Sequence, residues 1–194
     1  MGSLTAAPVW YLMRGSGVVT LLLLTAVVML GVATTSRWRP GRLPRFVTLG
    51  LHRSISLLAV VFLAVHIVAA LADPYAQVRV LQVVLPLRLG PYPLWLGLGA
   101  LSLDFLVAVI VTSLLRHRLG RRTWKSVHWL AYASWPLAFA HGLGMGSDAR
   151  TAWFLALASA SLAAVVLAAA WRLLGSRREH DKYLGAPLES GGTA

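Results

Sequence analysis

Five stretches of this chain stay apolar for about as long as a helix needs to cross a bilayer, and that pattern limits the fold before any single residue is considered. A hydrocarbon core of about 30 Å takes roughly 20 residues at 1.5 Å of rise each. Trp10 to Thr34, Phe46 to Ala72, Leu94 to Leu115, Val127 to Met145 and Thr151 to Leu174 all qualify. The hydrophobic fraction is 58% and the mean hydropathy +0.71, against roughly 45–50% apolar residues in soluble domains. The expectation is an all-α integral membrane protein, a bundle of five transmembrane helices lying multi-pass in the cell membrane. The first stretch is not read as a cleaved leader. Only Arg14 precedes its apolar run, whereas Arg37, Arg39, Arg42 and Arg45 follow it, the reverse of a secretory signal's charge order.

The formal net charge is +12, with 18 Lys and Arg against 6 Asp and Glu. Those cations alternate in density along the chain. The connection after the first span holds the four arginines just named; the one after the third holds Arg116, Arg118, Arg121, Arg122 and Lys125; the tail holds Arg172, Arg177, Arg178 and Lys182. The other connections hold few, chiefly Arg79, Arg88 and Arg150. The positive-inside rule then puts the N-terminus outside and the C-terminus in the cytoplasm. It also accounts for the basic balance without nucleic acid as a partner. Residues 1–9 read as an N-terminal segment, 10–174 as the membrane domain and 175–194 as a cytoplasmic polar tail whose end, "LGAPLESGGTA", is disordered. The longest outer connection, Asp73 to Pro93, contains "VRVLQVVLPLRLG" and is expected to lie along the surface or to cap what opens there.

There is no cysteine, so thiolate ligands and iron–sulfur clusters are excluded and redox chemistry would need a bound cofactor. Four of the six histidines fall inside apolar stretches, where an ionisable residue marks a functional site by default. His52 and His66 bound "HRSISLLAVVFLAVH", and His128 and His141 bound "HWLAYASWPLAFAH". Fourteen residues amount to about 21 Å of helix and return within about 40° of the same face. The second and fourth spans run the same way, so His52 and His128 share the inner depth and His66 and His141 the outer. Zinc would want three or four protein ligands at one point. Two imidazoles facing across a bundle suit iron that already has four equatorial ligands, which implies two stacked b haems.

Thirteen residues separate His128 from His141, about 3.6 turns, so an ideal helix would turn His141 away from His128's face. Pro136 and the glycines at 142, 144 and 146 are the expected correction, as irregular geometry from Pro136 to Gly144. Arg53, which follows His52 within an apolar helix, is a cofactor-binding candidate. Arg45, Arg122 and Lys125 are further cations for inner propionates, and Arg79, Arg88 and Arg150 for outer ones. Asp104, alone among acids inside a span, would pair with a buried group or take a proton from a quinol. Trp129, Tyr132, Trp135 and Phe139 would pack beside the haems. Two other readings stand beside electron transfer: a quinol-linked cytochrome b anchor for a partner enzyme, and a non-redox scaffold whose histidines merely pack.

The stretches Leu51 to His66 and Thr112 to His141, with one helix between the histidine helices, resemble the ferric reductase-like transmembrane domain family. That family includes the membrane part of NADPH oxidases, the metalloreductases and the haem-binding subunit of the bacterial methionine sulfoxide reductase system. The resemblance covers roughly Gly31 to Leu174. It implies a haem-containing oxidoreductase subunit that carries electrons from a cytoplasmic or membrane donor to an extracytoplasmic acceptor, whether a metal ion, a flavoprotein or a periplasmic reductase. Family members have six spans, so the first family helix is expected to be absent here. With no flavin or nicotinamide site in the sequence, a flavin-dependent reductase or quinol is the expected donor.

Overall fold

The computed structural model describes residues 3–35, 44–86 and 93–184, and the side chains of 8–34, 44–86 and 94–174. They form seven helices: α1 (Ser3–Thr35), α2 (Arg45–Ala72), α3 (Val80–Val84), α4 (Pro93–Leu114), α5 (Arg121–His128), α6 (Leu130–Met145) and α7 (Ala152–Leu184). The ends of α2 and α4 and the C-terminal end of α1 fall within a few residues of the expected spans, whereas α1 begins at Ser3, seven residues ahead of the expected Trp10. Helix α7 continues ten residues past the expected end of its span at Leu174, into the segment read as tail. Arg88 and the tail beyond Leu184 lie outside the described residues.

Among the described residues four helices are long and apolar enough to cross a membrane: Pro8–Thr34 within α1, α2, Leu94–Leu114 within α4 and Ala152–Leu174 within α7. The expected fifth, Val127 to Met145, is divided. Its first residues belong to the basic helix α5, and α6 has 16 residues, about 24 Å of rise against a core of about 30 Å. Trp129 stands between the two with φ −63° and ψ −23°, so the chain keeps its direction while tightening locally toward 3₁₀ geometry.

Helix α1 is the central post. It packs against α2, α6 and α7, while α4 packs against α6. Its buried residues, among them Leu21, Leu24, Val28 and Val32, face these neighbours. Its hydroxyls turn back onto their own helix, Thr20 Oγ1 to the Ser16 carbonyl at 2.7 Å and Thr25 Oγ1 to the Leu21 carbonyl at 2.8 Å. In apolar surroundings such bonds remove the penalty of an unsatisfied polar group. Helix α2, which carries His52 and His66, scarcely touches α5, which ends at His128, or α6, which carries His141. A slot runs between them, walled on one side by α1.

Outside the bundle, the 73–86 segment folds over one end. The Asp73 carboxylate accepts the Tyr75 N–H at 2.9 Å, and Gln82 Oε1 accepts the Arg79 N–H at 2.8 Å, starting α3. Helix α3 packs on α4.

Candidate functional site

Both expected histidine pairs come together across the slot. The ring centroids of His52 and His128 are 6.5 Å apart, and those of His66 and His141 are 6.4 Å apart, with the planes steeply inclined in both pairs. Helix α2 and the consecutive helices α5 and α6 therefore run alongside each other in the same direction. The irregularity that the thirteen-residue spacing called for is not at Pro136 to Gly144, where α6 is helical throughout. The break in regularity is at Trp129, directly after His128, where the Trp129 N–H reaches both the Lys125 and Ser126 carbonyls at 3.3 Å. Proline removes one N–H, and a membrane helix survives that loss when its neighbours satisfy the freed group.

Each ring is fixed differently. His66 Nδ1 lies 2.8 Å from the Met13 carbonyl of α1, and His141 Nδ1 lies 2.9 Å from the Trp95 carbonyl of α4. A carbonyl can only accept, so Nδ1 carries the hydrogen in both rings and Nε2 is the basic nitrogen. His128 is instead held by stacking: Trp124 lies on its ring at 5.0 Å and 26°, with the Arg116 guanidinium 5.5 Å from the indole. The Nδ1 atom of His128 is buried without a hydrogen-bond partner, and His52 has the Val27 carbonyl beside it without a well-formed hydrogen bond.

Two cavities adjoin the pairs. One, of about 610 Å³, is lined by His66 and His141 together with Met13, Gly17, Gly99 and Ala138. Tyr75, Gln77 and Gln82 of the 73–86 segment also line it. The other, of about 100 Å³, is lined by His52, His128, Gly31, Ser56, Tyr132 and Trp135. Leu24, Leu63 and Leu106 line both and form the wall between them.

The remaining candidates are dispersed. Arg53 is exposed and lines neither cavity, and the same holds for Arg45, Arg122, Lys125, Arg79 and Arg150. Asp104 is half-buried on α4 and is also absent from both linings. Tyr132 and Trp135 do line the smaller cavity, and Phe139 stacks on Trp135 at 5.1 Å. Trp129 is exposed beneath the Arg172 guanidinium, 5.1 Å away.

Sequence reasoning passed over one pair. Arg14 Nε donates to Asp148 Oδ2 at 2.8 Å, and Arg14 Nη2 completes an ion pair with Asp148 Oδ1. Both residues line the larger cavity, and the pair ties α1 to the turn between α6 and α7. The Arg14 guanidinium also lies 3.9 Å from the Trp10 ring. The available signal was an arginine early in an apolar stretch and an acid just beyond the last histidine.

Among the described residues no three His, Asp or Glu side chains gather where one metal ion could bind all of them. Comparisons with curated proteins and with solved structures give no match. The family model described as "Ferric reductase like transmembrane component" matches residues 16–139, which takes in most of α1, starts ahead of the expected Gly31 and stops two residues before His141. The match covers well over half of the 194 residues, and the chain belongs to this ferric reductase-like transmembrane family.

Proposed function

We propose that this protein carries electrons across the cell membrane on two b-type haems, each held between two histidines, from a cytoplasmic or membrane donor to an acceptor outside. The observation that carries the reading is the spacing of the ring pairs. An imidazole nitrogen sits about 1.1 Å from its ring centroid and binds a transition metal at about 2 Å, so two rings on opposite sides of one ion put their centroids about 6.2 to 6.4 Å apart. Both pairs have that spacing within about 0.3 Å. They do so at two depths, in a slot between helices that scarcely touch.

The donor set also suits the group. Two neutral imidazoles per site, with no thiolate and no third ligand, match axial coordination of an iron whose equatorial positions are already filled. The larger cavity falls within the roughly 300–1,000 Å³ typical of cofactor sites. The smaller one, at about 100 Å³, would have to widen to admit such a group.

When bound, each haem supplies reversible one-electron chemistry at its iron. The protein's own part is to hold and insulate. His52 and His128 would hold the inner group, and His66 and His141 the outer. Leu24, Leu63 and Leu106 keep water out of the space between them, and Trp135 and Phe139 fill it with aromatic packing. The Arg14–Asp148 pair and the 73–86 segment line the outer end. A flavin-dependent reductase or quinol would serve as donor, and a metal ion, a flavoprotein or a periplasmic reductase as acceptor.

A reduced-minus-oxidised absorption spectrum with a pyridine haemochrome count on the purified protein tests this. The expected result is two b haems per chain, falling to about one in His66→Ala. Absence of haem after expression with ample haem supply would overturn the proposal.

A further inference from the structure

One arrangement recurs along the slot. His66 Nδ1 meets the carbonyl of Met13, and the residue four positions on is Gly17; His141 Nδ1 meets the carbonyl of Trp95, and the residue four positions on is Gly99. In a helix the side chain four residues on stands over the carbonyl, on the same face. There a carbonyl's second lone pair is open to a neighbouring helix only when that side chain is absent. A Cβ at Gly17 would lie 2.9 Å from His66 Cε1 and 3.0 Å from its Nδ1. At Gly99 it would lie 2.6 Å from His141 Nδ1 and 2.7 Å from Cε1. Neither methyl fits with the ring where it is.

The antiparallel register of α1 and α2 repeats the arrangement fourteen residues along. Val27 stands opposite His52 as Met13 stands opposite His66, and the residue four beyond it is Gly31. There the fit is looser. A Cβ at Gly31 would be 3.7 Å from His52 Cε1, ordinary contact. On α4 the register set by Trp95 with His141 and by Ser102 with Ser134 continues to Ala108 opposite His128. The residue four beyond Ala108 is Thr112, whose hydroxyl takes the Ala108 carbonyl at 2.8 Å. His128 Nδ1 is correspondingly unpartnered.

Resting on the two-haem reading, we propose that Gly17 and Gly99 are positioning residues for the outer haem. By lacking side chains they admit His66 and His141 to backbone carbonyls, which fixes both rings as Nδ1–H donors and turns Nε2 toward the iron. A ligand histidine that donates its other N–H is a stronger base, favouring the oxidised metal. In the inner pair His52 faces the Val27 carbonyl only loosely and His128 has no carbonyl partner, so the inner haem has the weaker support and is the electronically distinct one.

Gly17→Ala and Gly99→Ala, with Gly15→Ala as the control, test the proposal in the full-length protein. The readouts are haem stoichiometry and the midpoint potential of each haem. The expected result is selective: both test variants lose the outer haem, or keep it with its midpoint raised, while the inner haem stays unchanged and the control retains two haems. Gly15 has open space around its missing side chain, so its substitution reports on helix effects alone. Two unchanged haems in both test variants would overturn the proposal, as would equal loss of both haems in both variants. Wild-type protein without haem would instead overturn the reading beneath it.

Discussion

Trp135 Nε1 donates to Thr25 Oγ1 at 3.0 Å, tying α6 to α1 beside the leucine wall that separates the two cavities. Thr25 keeps its own bond to the Leu21 carbonyl, so removing the indole N–H leaves no acceptor stranded. Trp135→Phe is expected to lower stability by about 1 kcal/mol and to leave both haems in place, read by thermal denaturation alongside a haem count. Loss of either haem would show that the bond shapes a site rather than merely joining two helices.

Arg14 and Asp148 are each largely covered, with side chains 22% and 15% exposed. Removing one partner strands the other's charge at the cavity mouth. Discounted for that exposure, Arg14→Ala or Asp148→Ala is expected to cost about 1–3 kcal/mol, less than breaking a fully buried pair. A double-mutant cycle by thermal denaturation checks the coupling, and additive single effects would contradict it.

Asp104 belongs to neither cavity lining. Asp104→Asn is therefore expected to leave haem content and reduction kinetics unchanged. If the variant kept both haems but lost quinol oxidation, a quinol-linked cytochrome b anchor would become the better account.

The two cavities differ about sixfold in volume, about 610 against about 100 Å³. Because part of the inner haem's binding free energy would go into widening the smaller cavity, the inner haem is expected to leave first. Transfer to an excess haem-binding protein, followed by absorption spectroscopy, would show two release phases, with the His52→Ala variant lacking the faster one. A faster phase missing in His66→Ala would reverse the assignment.

The four histidines were legible because an ionisable side chain in an apolar helix is conspicuous and because depth follows from counting residues. Pairing by depth required no knowledge of packing. The place where α6 departs from regularity was not legible. Pro136 draws attention by its missing N–H, yet a helix in apolar surroundings continues through it, and the deviation sits at Trp129, whose identity gives no sign of it. Arg53 stood out beside His52 but projects away from the slot, because adjacent residues on a helix point about 100° apart. Gly17 and Gly99 were invisible for the opposite reason: a glycine's use lies in what approaches it, and only the register of neighbouring helices reveals that. Arg14 and Asp148 are 134 positions apart and meet only through the fold.

The gap between α2 and α6 has a consequence for how the chain matures. One hairpin, α1 with α2, and one helix pair, α4 with α6, are joined chiefly through the face that α1 turns toward α6. On the two-haem proposal, a haem bridging the histidines would be a long-range tertiary contact contributed by a small molecule, and acquiring it would add to the stability of the folded chain. Binding to the native state alone adds RT ln(1 + [L]/Kd), about 2.7 kcal/mol per site at a hundredfold excess over Kd. The amount of this protein that survives in a membrane would then follow the haem supply, making its abundance a readout of the cell's iron and porphyrin status.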